Sequence, residues 1–313
     1  MQQSEQVKIA IVQQRPVYLD LPRSLDLAMD LGQKAIREKA DLLVFGETWL
    51  CGYPAWLDHL PGAALWQQPQ TDQLFSQMMD NALLVSGPET EQFRRLARSG
   101  KLHIVLGCTE RVGEGPGQGT LYNTLLIFNP QGEMVVHHRK LMPTFSEKLL
   151  YGPGDGNGLK TVDTPFGKMG GLICWEHWMP LSRQTLHNAG EHIHIALWPA
   201  VNELHQLASR HYAFEGQCYV VAVGQILQVK DLTDALVLPE DLAVSPDRYL
   251  LNGGSAVIAP DTSYVLPPQF EKDELIFQEI TDLDATQRGR IRLDVSGHYQ
   301  RPDVFELKVN KER

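Results

Sequence analysis

Residues 170–180 read GGLICWEHWMP, an apolar run that ends on Cys174 and breaks at once into aromatic, acidic and imidazole side chains. The residues before the sulfur make the end of a buried strand, and Pro180 suits the first turn of a helix. A strand feeding a helix is the unit of α/β architecture. It sets the sulfur at a sheet edge near a helix N-terminus, where the positive end of the dipole lowers a thiol pKa. Gly170 and Gly171 leave room for other backbone to come close. A cysteine in such a run is either a small buried hydrophobe or a reactive atom, and these residues alone leave both open.

Outward from this stretch the same rhythm repeats. Val7–Val12 reads as a strand, and Leu25, Ala28, Leu31, Ala35 and Ile36 recur at helical spacing after Pro22. DLLVF at 41–45 is a short buried strand, a helix follows over Glu89–Ser99, and HIVLGCTE is the next strand. The middle of the chain changes to hairpins. Leu121–Phe128 and Glu133–His138 flank the turn Asn129-Pro130-Gln131-Gly132. Lys160–Asp163 pairs with Lys168–Cys174, and Ser255–Ala259 with Tyr264–Leu266. Beyond Cys174 come a helix (Leu181–Asn188), a strand (Ile193–Trp198), a helix (Leu204–Gly216) and the strand Cys218–Val223. Mixed sheets with helices packed outside are expected. Residues 226–254 read as a polar surface excursion, and the segment from about Arg288 as a tail lying on the body or on a partner subunit.

Composition narrows the function. The chain has 313 residues, 43% hydrophobic and 21% charged, enough for a large core. Its longest apolar run, Cys218–Val223, is far short of the roughly 20 residues that span a bilayer. Lys and Arg number 28 against 38 Asp and Glu, the reverse of a nucleic-acid footprint. The opening MQQSEQVK lacks the features of a signal peptide, so a cytoplasmic enzyme is expected. Four dispersed cysteines without CxxC spacing suggest neither a disulfide framework nor a zinc ribbon.

A thiol nucleophile needs a base. His177 is near in sequence, yet three residues along a turn point it away from the sulfur. Glu47 follows the DLLVF strand and Lys140 closes the hairpin strand MVVHHRK. Taken singly each is the kind of residue that decorates a surface.

Together, FGETWLCGYP, HHRKLMPTFSEKLLYGPGDG and GGLICWEHWMPL resemble the nitrilase superfamily of carbon-nitrogen hydrolases, and its nitrilase branch in particular. The match runs from Val7 to about Val304. CWEH, KLMPTFSE, GDGNGL and GHYQRPDVF resemble nitrilases more than amidases or carbamoylases, while Gly46, Cys51 and Tyr151 depart from the usual pattern. The resemblance implies a four-layer α-β-β-α sandwich with two mixed β-sheets, one domain over 1–287 and a C-terminal segment over 288–313. It implies a Glu47-Lys140-Cys174 triad, with Glu147 as a second glutamate that positions Lys140. It also implies a homodimer or small homo-oligomer, a small nitrile as substrate, and no metal or cofactor. Tyr53, Trp175, Trp178 and Trp198 are the candidate walls of an aromatic cleft for the R group of R–C≡N.

Within that reading, Cys174 attacks, Glu47 moves the proton with a carboxyl pKa raised by burial, and Lys140 stabilises the developing anion, with the Trp175 N–H as second donor. An amidase or carbamoylase shares the thioester, and a cyanide hydratase differs only in how its tetrahedral intermediate collapses. Two readings from other classes have less in their favour. GPGDGNG at 152–158 suggests a nucleotide site, but no strand precedes it as such loops require. His192 and His194 on one strand face suggest a metal site, with no third ligand apparent.

Overall fold

The computed structural model describes residues 6–60, 62–232 and 238–313. Residues 233–237, inside the 226–254 stretch, and residues 1–5 lie outside that description.

The first half of the chain supplies β1 (Val7–Val12), β2 (Leu42–Phe45), β3 (His103–Arg111), β4 (Leu121–Phe128) and β5 (Met134–Arg139). The second half supplies β6 (Val162–Thr164), β7 (Gly167–Ile173), β8 (Ile193–Leu197), β9 (Tyr219–Val223), β10 (Ile226–Gln228), β11 (Tyr249–Ile258) and β12 (Tyr264–Phe270). A last strand, β13 (Leu275–Ile280), returns to the first sheet. The sheet orders are β13-β1-β2-β3-β4-β5 and β10-β11-β9-β8-β7-β6, with β12 also on β11. Both sheets are mixed: β1-β2-β3 and β7-β8-β9 run parallel, and the hairpin strands antiparallel.

Period-two alternation divides each first-sheet strand between two cores. In β1, Ile9 and Ile11 face the second sheet and join Val105, Leu125, Leu172, Ile195 and Val221. Ala10 and Val12 face the other way, against Leu25, Ala28 and Leu31 of the Leu21–Arg37 helix and Phe93 and Leu96 of the Pro88–Gly100 helix. The Pro180–Asn188 and Glu203–Gly216 helices cover the outer face of the second sheet through Leu186, Ala208, Tyr212 and Ala213. Helix, sheet, sheet, helix is the four-layer sandwich expected from the sequence.

Three parts of the chain differ from the reading above. Residues 226–254 are not simply a surface excursion: Ile226 and Leu227 are buried in β10, which pairs with the start of β11. Their apolar side chains are too few to show a period, yet the antiparallel partner supplies their backbone bonds. The Pro69–Asp80 helix and β13 also lie outside the expected elements. At the C-terminal end the chain runs back to the body, where Arg313 pairs with Asp155 at 2.8 Å and Asn157 donates to the Lys311 carbonyl.

Candidate active site

Three loops at strand ends converge between the sheets. Glu47 follows β2, Lys140 follows β5, and Cys174 follows β7. All three are buried, as is Glu147. Lys140 Nζ donates to Glu47 Oε1 at 2.9 Å and to Glu147 Oε2 and Oε1 at 2.7 and 3.0 Å. The ligating atoms of Glu47, Glu147 and Cys174 lie within 4.8 Å of one another, the one such His/Cys/Asp/Glu grouping among the described residues. An ammonium already sits among those oxygens.

Local geometry locks each member in place. Glu147 heads a capping box in the Phe145–Leu149 3₁₀ turn, accepting from the Thr144 N–H at 2.8 Å. Its other oxygen accepts from Tyr53 Oη at 2.8 Å. Every Glu147 oxygen is therefore occupied. Glu47 differs: Oε1 accepts from Asn123 Nδ2 at 2.7 Å and from Lys140, while Oε2 is buried with no partner. Of the four carboxylate oxygens of Glu47 and Glu147, it is the one left without a donor, and so the one placed to take a proton. Cys174 itself sits at φ +51° and Thr48, next to Glu47, at φ +48°. Non-glycine residues in this region cost of order 1 kcal/mol or more and gather at functional sites.

The glycine-rich loop at 152–158 backs the lysine and has no strand leading into it. A Cβ on Gly154 would stand 2.1 Å from the Arg139 carbonyl oxygen, and the Gly154 N–H donates to the Lys140 carbonyl at 2.8 Å. Close backbone approach is why glycine is needed there.

Electrostatics follow from burial. Desolvation raises Glu47 to about 7, against the opposing pull of Lys140. Lys140 is held charged: burial pushes its pKa down, but Cys174 once ionised, Glu47 and Glu147 more than compensate and raise it. The thiol corrects an expectation. Burial, then the negative charge of Glu47, pushes Cys174 well above the usual thiol value, with Lys140 and the Trp175 N–H only partly opposing. The helix that starts at Pro180, which the sequence placed beside the sulfur, is set off from it by the 3₁₀ turn Cys174–Trp178, so burial and carboxylate charge decide. The sulfur thus rests protonated and needs a base.

His177 turns away from the sulfur, as its spacing implies, and begins a buried chain. Its Nδ1 meets the Cys174 carbonyl at 2.7 Å, its Nε2 meets His194 Nε2 at 2.9 Å, and His194 Nδ1 meets Glu191 Oε1 at 2.9 Å. Tyr212 Oη donates to Glu191 Oε2 at 2.5 Å. A carbonyl only accepts, so His177 Nδ1 carries a proton, and one proton lies in each of the next two contacts. Burial, the largest cause for each, lowers both imidazoles and raises Glu191 to about 7, so the last proton belongs to Glu191. His194 is thus a link in this chain, and His192 lies outside β8, half-buried.

The aromatic residues separate. Tyr53 joins the cluster through Glu147, as a donor rather than a wall. Trp175 and Trp178 are partly exposed, with their ring centroids 6.4 Å apart. Trp198 is fully buried, stacked between His177 and His205 at 4.6 and 4.4 Å. Sequence reasoning missed Asn123 and Gln225. Asn123 breaks an apolar strand on the face shared with Leu125 and Ile127, a signal that was available. Gln225, whose Nε2 donates to the Glu47 carbonyl, lies in the short link between β9 and β10 and gave none.

The sequence profile of the carbon-nitrogen hydrolases matches residues 8–289. The chain is 36% identical to an aliphatic nitrilase of Sinorhizobium fredii (strain HH103), over 97% of this chain and 96% of that one. It is 35% identical to nitrilase 2 of Arabidopsis thaliana, over 97% of this chain and 89% of that one. Among solved structures, a carbon-nitrogen hydrolase from Helicobacter pylori G27 superposes with TM-score 0.71 at 18% identity, covering 96% of this chain and 97% of that one, a likeness of fold. The chain belongs to the carbon-nitrogen hydrolase family.

Proposed function

We propose that the chain is a nitrilase, converting an organic nitrile to the carboxylic acid and ammonia on Cys174. The observation that carries this is the unpartnered Glu47 Oε2 in a site where Lys140 and Glu147 have their hydrogen bonds satisfied. Glu47 takes the thiol proton as the sulfur bonds to the nitrile carbon, then returns it to nitrogen, giving a thioimidate. Once Glu47 is protonated it holds Lys140 less strongly, and the ammonium turns to the nitrogen that is gaining charge. Water, activated by Glu47, adds to the thioimidate. Ammonia leaves to give a thioester, and a second water releases the acid and restores the thiol. Glu147 fixes Lys140, and Trp175 and Trp178 flank the entrance for the R group.

A panel of aliphatic, aromatic and arylacetic nitriles, with the matching amides, tests this. Ammonia and acid in equal amounts from nitriles, lost in Cys174→Ala, is the expected outcome. Turnover of amides alone makes the chain an amidase, and amide as the sole product makes it a hydratase.

We further propose a cytoplasmic homodimer or small homo-oligomer, with residues 1–287 as the catalytic domain and 288–313 as a segment packed on it. Leu181, Leu204, Leu207 and Phe214 are exposed along the two adjacent outer helices, a face suited to a second copy. A stable monomer in light scattering would remove the oligomer. Among the described residues no helix is long and apolar enough to cross a membrane.

A further inference from the structure

We infer that Glu176 is a positioning residue, one carboxylate that ties the backbone beside Lys140 to the backbone beside Cys174 across the two sheets. This rests on the nitrilase reading of those two side chains. Glu176 Oε1 accepts from the Leu141 N–H at 2.8 Å, and Oε2 accepts from the Ile173 N–H at 2.7 Å. Leu141 follows Lys140 at the end of the first sheet, and Ile173 is the last residue of β7 in the second. His138 Nε2 lies at 3.0 and 2.9 Å from the two oxygens, and the pair is fully buried.

The charge of this group is matched to its surroundings. Three hydrogen bonds to the carboxylate, two from backbone, favour its ionised form against burial. Around it stand His138 on β5, His194 on β8 and the neighbouring His177, and neither the sulfur nor Lys140 is among its hydrogen-bond partners. Glu176 therefore acts through backbone, not on substrate. It sets the distance between nucleophile and ammonium, the kind of dimension in which about 1 Å of slack costs on the order of 100-fold in rate.

Glutamine is the informative replacement. An amide has one accepting oxygen, so its NH₂ must face either the Leu141 N–H or the Ile173 N–H, donor against donor. One tie breaks whichever way the side chain turns, while volume is kept. A role confined to folding would lower the thermal midpoint and leave turnover per folded molecule unchanged. A positioning role lowers kcat with KM little moved. It also has a direction in pH. Lys140 lowers the pKa of Glu47, so a lysine that slips away lets the acid limb of kcat/KM move to higher pH. Losing the Glu176 charge by itself would move that limb the other way.

The experiment compares wild type, Glu176→Gln and Glu176→Asp. Each is measured for thermal midpoint, kcat, KM and pH profile on a nitrile, and for the rate of Cys174 alkylation by iodoacetamide against pH. For Glu176→Gln we expect kcat down about 100-fold, KM within about threefold, and the acid limb at higher pH. Glu176→Asp keeps the charge beside His138 but is one methylene short of holding both N–H groups, and it falls between. Failure of the nitrilase reading shows as wild type inert toward nitriles. The positioning claim then stands or falls on alkylation alone, whose pH midpoint must shift in Glu176→Gln. A folded Glu176→Gln with kcat and alkylation profile within threefold of wild type overturns the inference. So does loss of folding in both variants, which makes the residue a determinant of stability.

Discussion

Replacing Glu191 by Gln tests the proton assigned to the chain that runs from the Cys174 carbonyl through His177 and His194. A neutral Glu191 donates to His194 Nδ1 and accepts from Tyr212, and Gln repeats both bonds. The carboxyl's pKa rises from 4.5 when unfolded to about 7 in the fold, chiefly through burial. A group raised by folding contributes stability that is complete below the unfolded value and is lost as pH climbs through the folded one. Across that window the loss is about 3 kcal/mol, most of it between pH 5 and pH 8. Gln has no such loss. Tyr212, whose pKa burial raises well above its usual value, stays neutral in both proteins across this range. At about 2 °C per kcal/mol for a chain of this size, the midpoint of Glu191→Gln relative to wild type should rise by roughly 5 °C from pH 5 to pH 8. Thermal unfolding followed by circular dichroism at both pH values measures it. An offset that is the same at both would refute the reasoning and place the proton on an imidazole.

Lys140→Met should destabilise the fold by about 3–5 kcal/mol at pH 8, because Glu47 and Glu147 are left buried without their cation. The loss should shrink at pH 5, as Glu47 takes up a proton, and urea titration at the two pH values reads both. Cys174→Gly should abolish turnover yet unfold at or above the wild-type temperature, since glycine accepts φ +51° without strain. In wild type, kcat/KM for a nitrile should fall tenfold per pH unit below about 7, where Glu47 becomes protonated and can no longer take the thiol proton. A profile flat to pH 5 would remove Glu47 as the base.

The strand-helix order and the site were legible for different reasons. Period-two strands such as Val7–Val12 and helical spacing over Leu25–Ile36 are local, so they show in the sequence. The convergence of Glu47, Lys140 and Cys174 is not local, and it was reached through resemblance. What spacing could not reveal is how burial sets charge. A helix dipole near Cys174 suggested an acidic thiol, but burial, and after it the charges of Glu47 and Glu147, push the thiol the other way. Trp198 is another case, because a large aromatic at a strand end is the same letter whether it lines a cleft or fills a stack of imidazoles. The β10–β11 pairing failed to register because it joins residues far apart in the chain, Ile226 with Asn252 and Gln228 with Tyr249.

The central claim is that the sulfur of Cys174 carries the substrate through a covalent intermediate formed with Glu47 as base. Acid-quenched mass spectrometry of the enzyme turning over a nitrile, followed by peptide mapping, tests it most directly. The account predicts a thioimidate or acyl adduct on the peptide containing Cys174, absent in Cys174→Ala and slow to form in Glu47→Gln. Sustained ammonia release by Cys174→Ala, or an adduct mapped to another cysteine, would contradict it.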